Sequence, residues 1–398
     1  MYSILVKLKM GASFLVKHNF SNRSDIAAFV AMEMMARANI LESKGKDIIH
    51  MDVGEPGFNT PSHVLKYLES IIQESSYRYT EALGMPKLRE AISLHYKLWY
   101  KEEVDPGCIV VTVGASGAFI LSLLAFFDVG DKVGIMSPYY PAYTNALKAL
   151  GIEAVIIEGN INNGYQPTLS MLKNSSLDLK GLIIASPANP TGSIIDNLEM
   201  LKISKWCGKN NIKMISDEIY HGIEYENRSN TVLSYDRKAI VVNSFSKYFS
   251  MTGWRLGWII APKSAIRILE RLAMACFLCP PAISQLAAIK VFDDYDVLDK
   301  NVSVYKNNRD LLINLFEDIG LTNYAPPNGA FYLYVDITKI SNNSADLALS
   351  LLKEVGVSCT PGIDFDRKYG KNFIRFSYGG PSDKVSEGAK RIKEWIKK

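Results

Sequence analysis

Cysteine is scarce in this chain of 398 residues, which contains five cysteines at irregular spacing. An odd, scattered set excludes a disulfide framework and is typical of a reduced, cytoplasmic protein. Cys276 and Cys279 form a C-x-x-C pair, but the sequence has no second pair. Because a structural zinc site needs about four ligands, we interpret both cysteines as packing residues and predict no metal site.

Charge of one sign and long hydrophobic runs are also lacking. Lys and Arg number 45 against 41 Asp and Glu, a net charge of +4, which is too small to indicate a nucleic-acid or membrane partner. Residues 109–127 carry no charge and are long enough to span a bilayer. Gly114 and Gly117 interrupt them, so we predict a strand, a turn and a buried helix there instead.

Strand-like and helical patterns alternate through the middle of the chain. The candidate strands cover residues 109–113, 132–136, 153–157, 181–185, 212–216 and 239–243, and candidate helices between them include 117–127, 140–150 and 197–210. Nearly continuous apolar strands separated by helices predict an α/β fold with a mostly parallel sheet covered on both faces. Ligands of such sheets bind at the carboxyl ends of the strands.

The chain is long enough for two domains, and the pattern changes after about residue 262. Helices are predicted near 264–278, 283–317 and 344–355, and strands at 330–335 and 373–376. With a helix around 24–45, these segments predict a smaller α+β domain built from both ends of the chain. The predicted boundaries are 1–60 for the N-terminal arm and helix, 61–290 for the large domain and 291–398 for the small C-terminal domain.

One lysine, Lys247, lies among serines in a stretch that ends at Arg255. A deprotonated lysine forms a Schiff base with an aldehyde, and the serines and Arg255 are donors suited to a phosphate monoester. An aldehyde together with a phosphate describes pyridoxal 5′-phosphate (PLP). A polar surface turn without a ligand explains this stretch alone equally well.

Three further segments carry polar groups at the ends of predicted strands. Asp217 could pair with a protonated pyridine nitrogen, and Tyr220 could donate to a phenolate oxygen if the chain turns helically there; a capping aspartate beside an exposed tyrosine is the alternative. Asn189 lies between two prolines in a rigid turn whose X-Pro bonds could be cis. Residues 114–118 form a glycine turn before a helix, which is typical of an anion site.

Together these segments resemble the class I/II aminotransferases of the PLP-dependent fold-type I superfamily, from about residue 24 to residue 398. The motifs that carry the resemblance occur in family order at residues 54–61, Tyr79, Gly84, 88–91, 189–192, 216–220, 244–255 and 375–377. The resemblance implies a large domain with a mostly parallel, seven-stranded type of sheet, and a homodimer as the active unit.

The resemblance also implies which residues bind PLP. Lys247 would hold the cofactor covalently and move the substrate proton, and Asp217 would pair with the ring nitrogen. The residues implied in other contacts are Asn189 and Tyr220 at the ring hydroxyl, Ser244, Arg255 and the amides of Ala115 and Ser116 at the phosphate, Tyr140 stacked on the ring, and Tyr79 at the phosphate of a neighbouring subunit.

The implied reaction moves an amino group from an amino acid to a 2-oxo acid by ping-pong kinetics. Arg375 would clamp the substrate α-carboxylate, with Gly54 and Asn189 beside it. Aspartate-using relatives place a lysine where this chain has Ser116, which favours neutral amino acids or a broad range. Aspartate transamination, a β-eliminating lyase and a non-enzymatic PLP-binding regulator are the alternatives. The regulator is disfavoured because such proteins carry an additional N-terminal DNA-binding domain.

Overall fold

The computed structural model describes residues 20–73, 77–174 and 178–398, so part of the predicted N-terminal arm lies outside the described residues. The helices are α1 (Val30–Glu42), α2 (Ser62–Ile71), α3 (Pro86–Tyr100), α4 (Gly114–Phe126), α5 (Ala142–Leu150), α6 (Leu169–Asn174), α7 (Asn197–Lys209), α8 (Lys263–Cys276), α9 (Ala282–Val291), α10 (Tyr295–Asp318), α11 (Ser344–Ser350) and α12 (Ser382–Ile396). The strands are β1 (Ile49–Met51), β2 (Ile109–Thr112), β3 (Lys132–Ser137), β4 (Glu153–Glu158), β5 (Gly181–Ala185), β6 (Lys213–Asp217), β7 (Ile240–Ser244), β8 (Gly257–Ile260), β9 (Tyr332–Asp336), β10 (Val357–Pro361) and β11 (Phe373–Ser377).

The larger sheet confirms the predicted α/β fold. Within the described ranges it has seven strands in the order β2-β8-β7-β6-β5-β3-β4. The pairs among β3, β4, β5, β6 and β7 are parallel, whereas β8 runs antiparallel to both β2 and β7. The predicted strands all form, but β8 was not among them. Its four residues begin two positions after Arg255, and such a short apolar run beside the polar stretch around Lys247 gives little strand signal.

A second sheet joins the two ends of the chain, as predicted. Its order is β1-β10-β11-β9, with β1 parallel to β10 and the other pairs antiparallel. Neither β1 nor β10 was predicted from the sequence. The predicted helix 283–317 is wrong as one element, because it divides into α9 and α10. Asp294 accepts a hydrogen bond from the Val297 amide (3.3 Å) and so begins a new helix.

The polar loops follow the strands of the larger sheet. Both proline bonds of the turn after β5, Ser186-Pro187 and Asn189-Pro190, are cis. The predicted turn at 114–118 is instead the first turn of α4, which begins at Gly114 with φ +67°. Arg375 does not lie in such a loop, because it is part of strand β11 in the smaller sheet. The carboxyl ends of β2, β3, β5, β6 and β7 therefore face residues contributed by the smaller sheet.

The charge-free residues 109–127 are divided between β2 and α4, as predicted. No helix in the described part of the chain is both long enough and apolar enough to cross a membrane. Across all residues that the structure describes, no group of three or more His, Cys, Asp or Glu side chains is placed to hold a metal ion. The packing role predicted for Cys276 is wrong, because this residue is exposed at the end of α8, while Cys279 is half-buried.

Candidate active site

A cavity of about 380 Å³ lies where the two sheets meet. Its walls come from the ends of the large-sheet strands, from the start of α1 and from the smaller sheet. The predicted site residues that line it are Gly54, Ala115, Ser116, Tyr140, Asn189, Asp217, Tyr220, Lys247, Arg255 and Arg375. Of the predicted set, Ser244 and Tyr79 lie outside this lining. The structure thus brings residues from across the chain around one space.

Lys247 extends into the cavity from the loop after β7, and its Nζ donates a hydrogen bond to the Gly54 carbonyl at 2.5 Å. Burial lowers its pKa to about 8; Glu55 opposes this shift, and the cations of Arg375 and Arg255 add to it. Burial and like charge both disfavour the ammonium form. A fraction of the Lys247 side chain is therefore neutral near neutral pH, the form that attacks an aldehyde.

Asp217 is the last residue of β6 and is buried. One carboxylate oxygen accepts from the Tyr143 hydroxyl and the other from the Ile219 amide (3.1 Å). Burial raises the pKa of Asp217 to about 6, and these two hydrogen bonds and the charge of Lys247 oppose the shift. Asp217 forms no salt bridge with a described residue, and a buried carboxylate of this kind fits a ligand that carries a positive ring nitrogen. The sequence did not indicate Tyr143, although it lies only three residues after Tyr140.

Anion donors meet at one end of the cavity. The Arg255 guanidinium lies 2.6 Å from where a Cβ on Gly114 would stand, and its Nη1 donates to the Thr252 carbonyl at 2.9 Å. Helix α4 starts without a side-chain cap, so the amides of Ala115 and Ser116 have no partner within the helix. A helix N-terminus beside a guanidinium is suited to a phosphate.

Of the two serines that precede Lys247, Ser246 lines the cavity, whereas the predicted Ser244 does not. Ser244 is buried behind the cavity, where its hydroxyl donates to the Leu256 carbonyl (2.9 Å) and accepts from the Ser246 amide (3.1 Å). The sequence places both serines in the same motif. Only the direction of the chain after β7 decides which of them reaches the cavity.

Aromatic residues form the sides of the site. Tyr140 lines the cavity, and burial raises its pKa to about 12. The Tyr220 hydroxyl lies 2.6 Å from that of Tyr332, and the chain turns at Tyr220 through a hydrogen bond from the His221 amide to the Glu218 carbonyl (3.0 Å), without forming a helix. Tyr332 was missed even though its strand was predicted. Its hydroxyl lies 1.5 Å from the position of a Cβ on Gly54, so only glycine fits there.

Arg375 provides a cation for a small acid. Its Nη1 donates to Asn189 Oδ1 at 2.8 Å, and its Nη2 donates to the Asp52 carbonyl and to Thr360 Oγ1. The guanidinium is centred 4.4 Å from the Tyr332 ring. Arg375 is buried, its Nε has no hydrogen-bond partner, and it forms no ion pair with a described residue. Such a guanidinium fits a bidentate carboxylate.

Asp52, whose carbonyl holds Arg375, also binds His50 on β1. His50 Nδ1 lies 3.3 Å from Asp52 Oδ2, and Nε2 lies 3.3 Å from Glu42 Oε2. The hydrogen bond to Asp52 is the main cause that raises the pKa of His50 to about 9. The stabilisation is therefore fully present below the unfolded pKa of about 6.5 and is lost as pH rises through about 9.

We expect His50→Gln to lower the free energy of unfolding by about 0.2–1 kcal/mol at pH 6, the range for ion pairs partly open to solvent. The difference from the unsubstituted protein should vanish near pH 10, where His50 is neutral. Urea unfolding of both proteins at the two pH values measures it. An equal loss at both would show that His50 contributes by packing alone.

Tyr79 is 83% exposed and lines a separate surface depression with Pro280 and Pro281. Its predicted contact with a neighbouring subunit lies beyond a single chain and stays a prediction.

The donor set fits PLP. One cavity is surrounded by a lysine with a lowered pKa, a buried carboxylate with a raised pKa and a set of phosphate donors at Arg255. Residues that would hold the group are Lys247, Asp217, Arg255, Ser246 and the first amides of α4.

Comparison with known proteins identifies the family. The family model for aminotransferase class I and II matches residues 46–392. The valine–pyruvate aminotransferase of Mycobacterium tuberculosis is 38% identical over 94% of this chain and 97% of its own length. The (5-formylfuran-3-yl)methyl phosphate transaminase of Methanocaldococcus jannaschii is 36% identical over 93% and 97%. A crystal structure of an aminotransferase from M. tuberculosis superposes with a TM-score of 0.93 at 38% identity, covering 96% of this chain and 99% of the other. The chain therefore belongs to the class I and II aminotransferases, enzymes that use PLP to transfer the amino groups of amino acids.

Proposed function

We propose that this aminotransferase acts on neutral, mainly apolar amino acids and passes their α-amino group to a 2-oxo acid by ping-pong kinetics. The observation that carries the proposal is the cavity wall, which is largely apolar beyond the catalytic groups. Phe29, Met32, Phe119 and Ile120 lie on it. Such a surface favours burial of an aliphatic or aromatic side chain over a charged one.

The cations of the cavity support the same conclusion. Among the described lining residues, the lysines and arginines are Lys247, Arg255 and Arg375. Each has a role that the reaction needs, so none is left for a second carboxylate of an acidic substrate. An arginine from another subunit would overturn this argument, and an acidic donor tests for it.

The proposed roles follow from the contacts of each residue. Arg375, held by Asn189 and the Asp52 carbonyl, binds the donor's α-carboxylate and fixes Cα beside Lys247. Lys247, neutral in part, takes the proton from Cα. Bound PLP would supply the sink for the electrons left at Cα. Asp217 would keep the ring nitrogen of the bound cofactor protonated.

The remaining residues hold the cofactor in place. Arg255, Ser246 and the amides of Ala115 and Ser116 anchor its phosphate. Tyr140 would lie against the bound ring, and Tyr220 would donate to its hydroxyl oxygen. We assign Ser246 the role that the sequence predicted for Ser244, because of these two serines only Ser246 lines the cavity.

We also propose a cytoplasmic homodimer in which Tyr79 reaches the partner's phosphate site. The exposure of Tyr79 in the single chain supports this role. The proposed domains are 1–60 with 291–398 and, separately, 61–290. The membership of β1, β9, β10 and β11 in one sheet supports that division.

A donor screen tests the function. Valine, leucine, alanine, phenylalanine, aspartate and glutamate are each supplied with pyruvate or 2-oxoglutarate; valine with pyruvate is included because the M. tuberculosis relative is named for that pair. We expect the highest kcat/KM with neutral donors. A preference for aspartate would refute the substrate proposal. Ammonia and pyruvate released from cysteine without an acceptor would indicate a β-eliminating lyase.

A further inference from the structure

The start of helix α1 is held by a residue from the far end of the chain. The residue before the helix, Phe29, provides no side-chain cap. Instead Asp364, in the short helical turn after β10, accepts from the Val30 amide (3.0 Å) through Oδ1 and from the Ala31 amide (3.1 Å) through Oδ2. A carboxylate at a helix N-terminus satisfies free amides and favours the positive end of the helix dipole.

This first turn of α1 is also part of the cavity wall. Phe29, Ala31 and Met32 line the cavity, and the Phe29 ring lies 6.1 Å from that of Tyr140. The turn itself is only partly buried, and the fully buried residues of α1 begin later, at Met34. The hydrogen bonds of Asp364 are therefore a main restraint on where this wall stands.

Each Asp364 oxygen accepts one backbone amide of α1, and the carboxylate also lies on the cavity wall, close enough to Arg375 for their charges to interact. It also lies three residues beyond β10 and outside the groups assigned to PLP. An effect of its charge on Arg375 would change all donors alike, because every donor carries the α-carboxylate, whereas an effect through α1 would depend on the size of the donor side chain.

We propose that Asp364 is a positioning residue that fixes the first turn of α1 as the surface against which the donor's apolar side chain packs, and so sets selectivity for larger apolar donors. This inference rests on the proposed function. A methyl side chain ends near Cα, whereas the side chain of leucine extends further toward the wall. Displacement of the wall should therefore weaken the binding of leucine more than the binding of alanine.

The test compares Asp364→Ala and Asp364→Asn with a matched control. In Asp364→Ala we expect the KM for leucine to rise about fivefold, the factor that corresponds to loss of one helix cap, with kcat nearly unchanged and little change for alanine. Asp364→Asn keeps one acceptor oxygen and should be intermediate. Asp196→Ala is the control, because Asp196 accepts two amides at the start of α7 (2.9 and 3.1 Å) away from the cavity. It should leave the leucine-to-alanine ratio of kcat/KM unchanged.

Amide hydrogen exchange gives a second readout that needs no activity. The amides of residues 30–33 should exchange faster in Asp364→Ala than in the unsubstituted protein. An unchanged leucine-to-alanine ratio, the same change in Asp196→Ala, or unchanged exchange at residues 30–33 would each overturn the inference. Failure of the proposed function is seen separately, in the unsubstituted enzyme, as an absence of activity with neutral donors.

Discussion

Lys247→Ala is expected to abolish transamination and covalent attachment of PLP. Lys247 is the lysine of the cavity lining, and burial lowers its pKa to about 8. The loss of one positioned general base costs about 10²–10⁴-fold in rate, and the loss of the covalent anchor adds to this. The kcat of the donor half-reaction and the visible absorption of the purified protein measure the two effects.

Two controls define what Lys247 contributes. Lys247→Arg keeps a cation near the same place but cannot be deprotonated in a protein, so it should be as inactive as the alanine variant. Lys263→Ala removes an exposed lysine at the start of α8 and should change neither readout. If Lys247→Arg were active, Lys247 could not be the amine that attacks the aldehyde and takes the substrate proton.

Asp217→Asn should reduce kcat by about 10²–10³-fold, the cost of removing one preorganised electrostatic partner. Asparagine has nearly the same shape and keeps an acceptor for the Ile219 amide, so packing should survive. It lacks the charge that would hold a proton on the ring nitrogen. Because Lys247 is intact, the visible absorption of bound cofactor should remain while turnover falls.

Tyr143→Phe provides the comparison for Asp217. It removes the hydroxyl that donates to the carboxylate but leaves the charge. The net contribution of one hydrogen bond, about 0.5–1.5 kcal/mol, corresponds to no more than about a tenfold loss of kcat. If both variants lose activity equally, the hydrogen bond would be the important feature and the charge would not.

The sequence predicts those parts of the fold that depend on local pattern. Residues 181–185 form a strand as predicted, because a strand buried on both faces must be apolar throughout. The three residues of β1 are too few to show a period and form a strand only by pairing with β10. That pairing joins segments from opposite ends of the chain, which no local pattern reports.

The residues of the candidate site also divide into those that a local sequence pattern indicates and those that depend on contacts between distant parts of the chain. Lys247, Asp217, Asn189 and Arg255 were predicted, because each follows or ends a strand in a recognisable motif. Tyr332 and Asp364 were missed, since their importance depends on contacts across the fold. Asp364 meets Val30 across 334 positions of sequence.

The clamp around Arg375 has a consequence for how the enzyme folds. Its guanidinium joins Asn189 across 186 positions and the Asp52 carbonyl across 323. Contacts between distant positions carry the largest loop-closure entropy and slow folding. A chain that has assembled only the larger sheet has Lys247 and the phosphate donors around Arg255 in place. It does not yet have Arg375 in position to bind a substrate carboxylate. During refolding, cofactor capture should therefore precede the recovery of turnover.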